Sequence, residues 1–101
     1  MRTWCAAMHV LTRRTLKDFA RTHADAESLL DAWYRIAKAA QWRSIEDVRK
    51  TFPHADFLSP HTVFNIKGNT YRLIVVIDYH YQRIFIKHVL THAKYDKGTW
   101  K

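Results

Sequence analysis

An arginine inside an apolar run is the first side chain of this sequence with evident chemistry. Arg72 interrupts a stretch built otherwise of Leu, Ile and Val, where an ionised group requires a partner. Its planar guanidinium can bind a phosphate through two parallel hydrogen bonds. Pairing with Asp78 or a hydrogen bond with Asn65 would also satisfy it. Lys87 interrupts the following apolar run and either adds a second positive charge or is an ordinary exposed lysine.

A histidine and a tyrosine follow the last apolar run in a basic segment. The imidazole of His92 can accept or donate a proton near neutral pH, although an exposed histidine in a solvated tail is the alternative. Tyr95 can stack on a nucleic-acid base or pack the tail against the preceding strands. Lys94 and Lys97 surround both with positive charge.

The elements that would position these side chains are three predicted strands. The runs Tyr71 to Tyr79 and Ile84 to Leu90 are rich in β-branched and aromatic residues, and they follow a shorter strand candidate from Thr62 to Lys67. Three consecutive strands with short connections predict an antiparallel meander.

The turn between the first two strands predicts their register. Gly68-Asn69 is a two-residue hairpin signal, because glycine readily supplies a positive φ at the first central position. Counting outward places Asn65 opposite Arg72, and strand alternation then puts Asn65, Lys67 and Arg72 on one face of the sheet.

The second turn, around His80 and Tyr81, predicts either two or four connecting residues, and both lengths give the same alternation downstream. Arg72 would then share its face with Phe85, Lys87 and Val89. The opposite, helix-covered face would contain Tyr71, Leu73, Val75, Ile77, Ile84, Ile86, His88 and Leu90. His88 is accordingly interpreted as a hydrogen-bonded core histidine.

The segment before the strands predicts mainly helices. His9 to Leu11 is a plausible edge strand, and a first helix is expected from Thr12, as its N-cap, to His23. Asp25 is expected to cap a second helix with a broad apolar stripe. A third, shorter helix begins at Ser44, and the segment from His54 to His61 is expected to be a loop.

The predicted fold is α+β, with a short N-terminal strand and two to three helices packed on a mainly antiparallel sheet of three to four strands. Its 101 residues are expected to form a single domain, 1–101. Residues 1–7 are either an extension preceding a start at Met8 or an ordered N-terminal segment.

The charge predicts an anionic partner, nucleic acid or an acidic protein, since the net charge is +8 and the pI about 9.9. Residues 65–101 contain seven Lys/Arg and two Asp/Glu. The single cysteine, Cys5, excludes an internal disulfide and fits a reducing compartment, so the cytoplasm is expected. The histidine spacing favours no metal site, and neither a cofactor nor a membrane segment is predicted.

Four segments carry a family resemblance that spans nearly the whole chain from Met8. They are MHVLTRRTLKDFA from Met8, FPHADFLSPHTVFNI from Phe52, GNTYRLIVVI from Gly68 and LTHAKYDK from Leu90. Together they resemble the HigB family of RelE-like toxins. The resemblance implies a RelE-like fold and an mRNA interferase that cleaves mRNA in the ribosomal A site, on the 30S subunit. It also implies neutralisation by a HigA-like helix-turn-helix antitoxin.

The resemblance also implies candidate site residues. Arg72 in TYRLIV matches the strand arginine of RelE-like toxins, and His92 and Tyr95 in THAKYD stand where the family places C-terminal site residues. RNA cleavage by its own 2′-hydroxyl needs proton transfer and positive charge around the phosphate. The expected catalytic residues are therefore Arg72, Lys87, His92 and Tyr95, and the expected RNA-binding residues are Asn65, Lys67, Lys94 and Lys97.

Two other functions are compatible with a small basic fold of this kind. One is a toxin without nuclease activity, as in ParE-like proteins that inhibit DNA gyrase, and the other is a basic RNA-binding module. An arginine, a lysine and a histidine near one end of the sheet favour the nuclease, because a gyrase inhibitor does not need a proton-transfer group.

Overall fold

The apolar runs form the centre of a five-stranded mixed sheet in the computed structural model, which describes residues 8–68 and 70–100. The strands are β1 (His9–Leu11), β2 (Asp56–Leu58), β3 (His61–Ile66), β4 (Tyr71–Asp78) and β5 (Arg83–Thr91). Their order is β1-β5-β4-β3-β2, with β1 parallel to β5 and every other pair antiparallel. The sheet thus has one strand more than predicted, because β2 lies in the expected loop.

The helices are α1 (Arg14–Thr22), α2 (Glu27–Ala39), α3 (Ile45–Thr51) and α4 (His92–Lys97), with a 3-10 turn at Ala24–Ala26 before α2. The first three were predicted, and α4 was not. No described helix has the length and apolar character needed to cross a membrane.

The main core lies between α1–α3 and one face of the sheet. Burying side chains of this size contributes about 1.5–3 kcal/mol each, so this layer supplies most of the hydrophobic stabilisation. The helices contribute Leu16, Leu30, Trp33, Ala37 and Val48, and the sheet contributes Phe64, Leu73, Val75, Ile84, Ile86 and Val89.

The predicted hairpin between β3 and β4 is confirmed. Asn65 pairs with Arg72 as expected, and the Thr70 N–H donates to the Lys67 carbonyl at 3.1 Å. Gly68 has a φ of +62°, which is the conformation for which glycine was expected at this position. The next turn has four residues, since Asp78 pairs with Arg83.

A β-bulge changes the predicted alternation in β5. Ile74 pairs with His88 but Val75 pairs with Ile86, so Lys87 is the extra residue. A bulge puts two residues opposite one and reverses the facing of every residue beyond it, relative to a regular strand. The alternation predicted for the second half of β5 is therefore wrong.

The bulge changes the sheet face to which three side chains are assigned. Arg72 pairs with Leu90, so Leu90 and His88 share the face of Arg72, and the core assignment of His88 is wrong. Val89 joins the main core instead. Phe85, before the bulge, lies on the face of Arg72 as predicted, because it pairs with Val76. We call this sheet face, opposite α1–α3, the open face.

Two predicted helix caps are also wrong. Thr12 has a φ of +66°, and Arg13 is the N-cap of α1 without a side-chain capping bond. Asp25 lies in the 3-10 turn rather than before a helix, and its carboxylate accepts hydrogen bonds from Lys67 and Tyr71. The Asp25 carboxylate, which was predicted to cap α2, therefore makes a tertiary contact with the β3–β4 hairpin instead.

Candidate functional site

One end of the open face carries Arg72 and Tyr95. The guanidinium carbon of Arg72 lies 5.2 Å from the centre of the Tyr95 ring, and its Nη1 donates to the Tyr71 carbonyl at 3.4 Å. Arg72 comes from β4 and Tyr95 from α4, so the contact joins the helix to the sheet. An arginine held beside an aromatic ring presents a phosphate-binding group in a defined position.

Trp100 holds Tyr95 in this position, and sequence analysis did not identify Trp100 as part of the site. Its ring stacks on Tyr95 with centroids 5.2 Å apart and an interplanar angle of 14°, and its Nε1–H donates to the Tyr95 carbonyl at 2.9 Å. The indole is buried in a small cluster with Val63 and Ile74. A lone tryptophan after the helix-ending Gly98 has no periodic neighbours, so no sequence pattern signalled its burial.

His92 begins α4 beside the hairpin turn. Its backbone N–H donates to the Thr70 carbonyl at 3.1 Å, which ties the start of α4 to the loop between β3 and β4. The ring is exposed, with Nε2 3.2 Å from the Asp96 carboxylate one turn later. Asp96 can orient the ring, a role that the i, i+4 spacing of the two residues could have indicated.

The helix carrying His92 and Tyr95 is defined at both ends. The Thr91 side chain accepts from the Lys94 N–H at 3.4 Å, which is the N-cap arrangement, and Gly98 closes the helix with a φ of +71°. Lys94 and Lys97 are both exposed on this short helix.

Two further predicted site residues lie apart from α4. Asn65 is exposed on β3 and pairs directly with Arg72, as expected. Lys87, at the bulge, has its ammonium 5.7 Å from the centre of the Phe85 ring. It is three residues before Leu90, the partner of Arg72, and this spacing corresponds to about 10 Å along a strand.

Lys67 does not share the face of Asn65 and Arg72, and that expectation is wrong. Its φ of +53° interrupts the strand alternation, and its ammonium lies 2.7 Å from Asp25 on the helix side. The Tyr71 hydroxyl donates to the same carboxylate at 2.8 Å. The three residues form a polar cluster that fixes the turn end of the hairpin against the 3-10 turn.

The contacts within this cluster shift the pKa values of all three of its groups. Hydrogen bonds from Lys67 and then Tyr71 lower the pKa of Asp25 below its ordinary 3.8. The hydrogen bond to Asp25 raises the pKa of Lys67 above 10.5, and it also raises that of Tyr71 above 10.0, with desolvation as the second cause for Tyr71. The cluster is therefore fully stabilising between the ordinary pKa of the carboxyl and that of the phenol.

We expect Asp25→Asn to lower the stability of the protein at neutral pH and to weaken its acid dependence. Because the folded pKa of Asp25 is depressed, its contribution is present above 3.8 and is lost as pH falls through the folded value. Urea unfolding of both proteins between neutral and acidic pH measures this. Asp18→Asn, which removes only exposed pairs on α1, is the control. A stability difference that stayed constant with pH would contradict the assignment.

We expect Trp100→Ala to undock α4 while leaving the main core folded. Trp→Ala in a full core costs roughly 3–5 kcal/mol, and less is expected here because the indole lies in the smaller cluster. Near-ultraviolet circular dichroism should lose the signal of the Trp100–Tyr95 stack, while the far-ultraviolet spectrum is nearly kept. Trp100→Phe keeps an aromatic ring and should retain most of the docking. If both variants unfolded the whole protein to the same extent, Trp100 would be as important to the main core as to the docking of α4.

Within residues 8–68 and 70–100, no three His, Cys, Asp or Glu side chains are grouped so as to hold a metal ion. The polar groups that the site does offer are a guanidinium, an imidazole beside a carboxylate, a phenol and several ammonium groups. These suit the binding of an anion and the transfer of a proton.

Comparisons with known proteins indicate which family the chain resembles. Residues 26–98 match the family HigB_toxin, described as a RelE-like toxic component of a toxin-antitoxin system. The chain is 30% identical over 95 residues to the mRNA interferase HigB of Escherichia coli O6:H1 (strain CFT073), covering 91% of this chain and 92% of that protein. It is also 30% identical over 92 residues to the mRNA interferase toxin HigB of Escherichia coli K12, covering 88% of each. Trp100 lies beyond the residues matched by the family.

Proposed function

Because the chain belongs to the HigB family of RelE-like toxins of toxin–antitoxin systems, we propose that it is a ribosome-dependent mRNA endonuclease that inhibits translation. The observation that supports this most directly is the meeting of β4 and α4. There the Arg72 guanidinium lies over Tyr95, with His92 one helical turn before it. A phosphate-binding group, a phenol and a proton-transfer group are thus supplied by two adjoining elements.

The proposed reaction is cleavage by the neighbouring 2′-hydroxyl. The 2′ oxygen attacks the adjacent phosphorus and loses its proton, the bond from phosphorus to the 5′ oxygen breaks, and that oxygen receives a proton. The products are a 2′,3′-cyclic phosphate and a 5′-hydroxyl. Positive charge around the pentacoordinate phosphate and a positioned acid or base lower the barrier. No metal is needed in this scheme, and we propose a metal-independent enzyme.

Each candidate residue has a role in this scheme. His92, oriented by Asp96, makes one of these two proton transfers, and Arg72 stabilises the phosphate charge. Tyr95 orients a nucleotide beside Arg72, and Lys87 adds positive charge farther along β5. Asn65, Lys67, Lys94 and Lys97 are assigned to RNA binding, although Lys67 must share its ammonium with Asp25.

Membership of a toxin–antitoxin family implies an antitoxin partner. We propose a HigA-like helix-turn-helix protein that is acidic where it meets this chain, because a net charge of +8 on a small surface attracts anionic partners. The proposed substrate is mRNA in the A site of the 30S subunit, which places the toxin in the cytoplasm.

Primer extension on an mRNA under translation tests the nuclease directly. We expect new 5′ ends that appear only with toxin and ribosomes, and that disappear when the antitoxin is added in excess. DNA gyrase supercoiling, assayed with the same preparation, should be unaffected. Inhibited supercoiling with intact mRNA would instead identify a ParE-like gyrase inhibitor. Binding to RNA without either effect would identify a simple RNA-binding module.

A further inference from the structure

Within the part of the chain that the structure describes, several cations of the helical layer are paired with carboxylates, whereas the two cations of β5 are not. On the helical side, ion pairs join Arg13 and Arg35 to Asp31, Arg14 and Arg21 to Asp18, and Lys50 to Asp47. On β5, neither Arg83 nor Lys87 has a carboxylate of the described residues within 4.0 Å of its charged nitrogens. The positive charge of β5 is therefore available to an external anion.

These two cations lie instead beside aromatic rings. The Arg83 guanidinium is 5.0 Å from the centre of the Tyr81 ring, and the Lys87 ammonium is 5.7 Å from that of Phe85. Tyr81 is 63% exposed, the largest exposure among the large hydrophobic side chains that the structure describes. His80 contacts the Tyr81 ring edge-on, with centroids 4.5 Å apart. Exposed aromatic rings interleaved with cations are the surface on which single-stranded nucleic acid binds.

The strand register connects this cluster to the candidate site. Arg83 pairs with Asp78 and Phe85 with Val76, and strand alternation puts both on the same face as Arg72. Asp78 and Arg72, the β4 partners of Arg83 and Leu90, are six residues apart, which corresponds to about 20 Å. The nearby Asp78 carboxylate accepts the Tyr81 N–H at 3.1 Å, so it helps to hold the loop that presents Tyr81.

We propose that Tyr81 and Arg83, with Phe85 and Lys87 between them and α4, form a second contact for single-stranded RNA on the open face. A base stacks on Tyr81, and Arg83 binds a backbone phosphate several nucleotides away from the cleaved bond. The inference rests on the proposed nuclease function for the position of the cleaved bond. It adds a length requirement: the RNA must extend from α4 to the loop between β4 and β5.

RNA affinity measured without cleavage tests the contact. The probes are fluorescein-labelled 2′-O-methyl oligonucleotides of 12 and 3 nucleotides, which lack the attacking hydroxyl. Arg83→Gln and Tyr81→Ala should each weaken binding of the 12-mer by about three- to tenfold and hardly affect the 3-mer. Arg83→Gln should also reduce the slope of log affinity against log salt by about one.

Arg13→Gln is a matched control on the helical side. The Arg13 guanidinium lies 4.0 Å from the centre of the Tyr34 ring, so the variant removes the same charge from a similar aromatic contact. It should leave affinity for the 12-mer nearly unchanged. An equal loss in Arg13→Gln, an equal loss for the 3-mer, or no binding of the 12-mer by the unaltered protein would overturn the proposal. Selective loss with the 12-mer would uphold it even if primer extension found no cleavage.

Discussion

Arg72→Ala is expected to abolish toxicity while leaving the fold intact. The side chain lies on the open face and contributes nothing to the main core, so its removal creates no cavity there. It does remove a fixed positive charge from the proposed reaction centre, and losing one such group typically slows a reaction by about a hundred- to a thousandfold. Growth after induced expression, at protein levels matched by immunoblot, is the measurement. Growth arrest that persisted in the variant would exclude Arg72 from the site.

Two companion variants make the Arg72 result interpretable. Arg72→Lys keeps the charge but loses the two-point geometry, so it should restore activity only partly. Arg35→Ala removes an arginine whose partner is Asp31 on the helical side, and it should remain toxic. Thermal unfolding of all three proteins separates a loss of chemistry from a loss of fold.

His92→Gln is expected to slow mRNA cleavage by about a hundred- to ten-thousandfold, the usual contribution of an acid or base. Glutamine keeps the backbone N–H that bonds Thr70, so α4 should stay anchored, and ribosome binding should hardly change. Single-turnover cleavage on programmed ribosomes, at saturating toxin, gives the rate. A variant that bound weakly but cleaved at the normal rate once saturated would make His92 a contact residue.

Lys94→Ala and Lys97→Ala provide the contrast to His92→Gln. Both side chains are exposed on α4, and we assign them to binding rather than proton transfer. Their removal should therefore weaken ribosome binding in a salt-dependent way and leave the saturated cleavage rate close to that of the unaltered protein.

The sequence predicted the elements that depend on local chemistry. Gly68 allowed the hairpin turn to be identified, and the pairing of Asn65 with Arg72 followed by counting. The bulge at Lys87 could not be identified in the same way. Ile-Lys-His reads as regular alternation, and the extra residue becomes evident only when both strands are seen together. The facing of His88 and Val89 was wrong for that reason alone.

The remaining differences come from contacts between distant parts of the chain. Asp25 and Lys67 are 42 positions apart, and nothing near either residue indicates that they will pair. Trp100 packs on Val63 and Ile74 through the fold rather than through any repeat in its own segment. The position of α4, and hence of His92 and Tyr95, depends on such contacts. Sequence analysis could therefore identify those two residues but not their arrangement.

The parallel pairing of β1 with β5 has a consequence for how the protein acquires its structure. His9 pairs with Arg83, 74 positions later, whereas the β3–β4 hairpin joins near neighbours. Closing so long a loop is entropically costly, and contacts of large sequence separation slow folding. During synthesis, β1 cannot pair until β5 has left the ribosome. The hairpin carrying Arg72 is therefore expected to form early, and the outer strand is expected to join last.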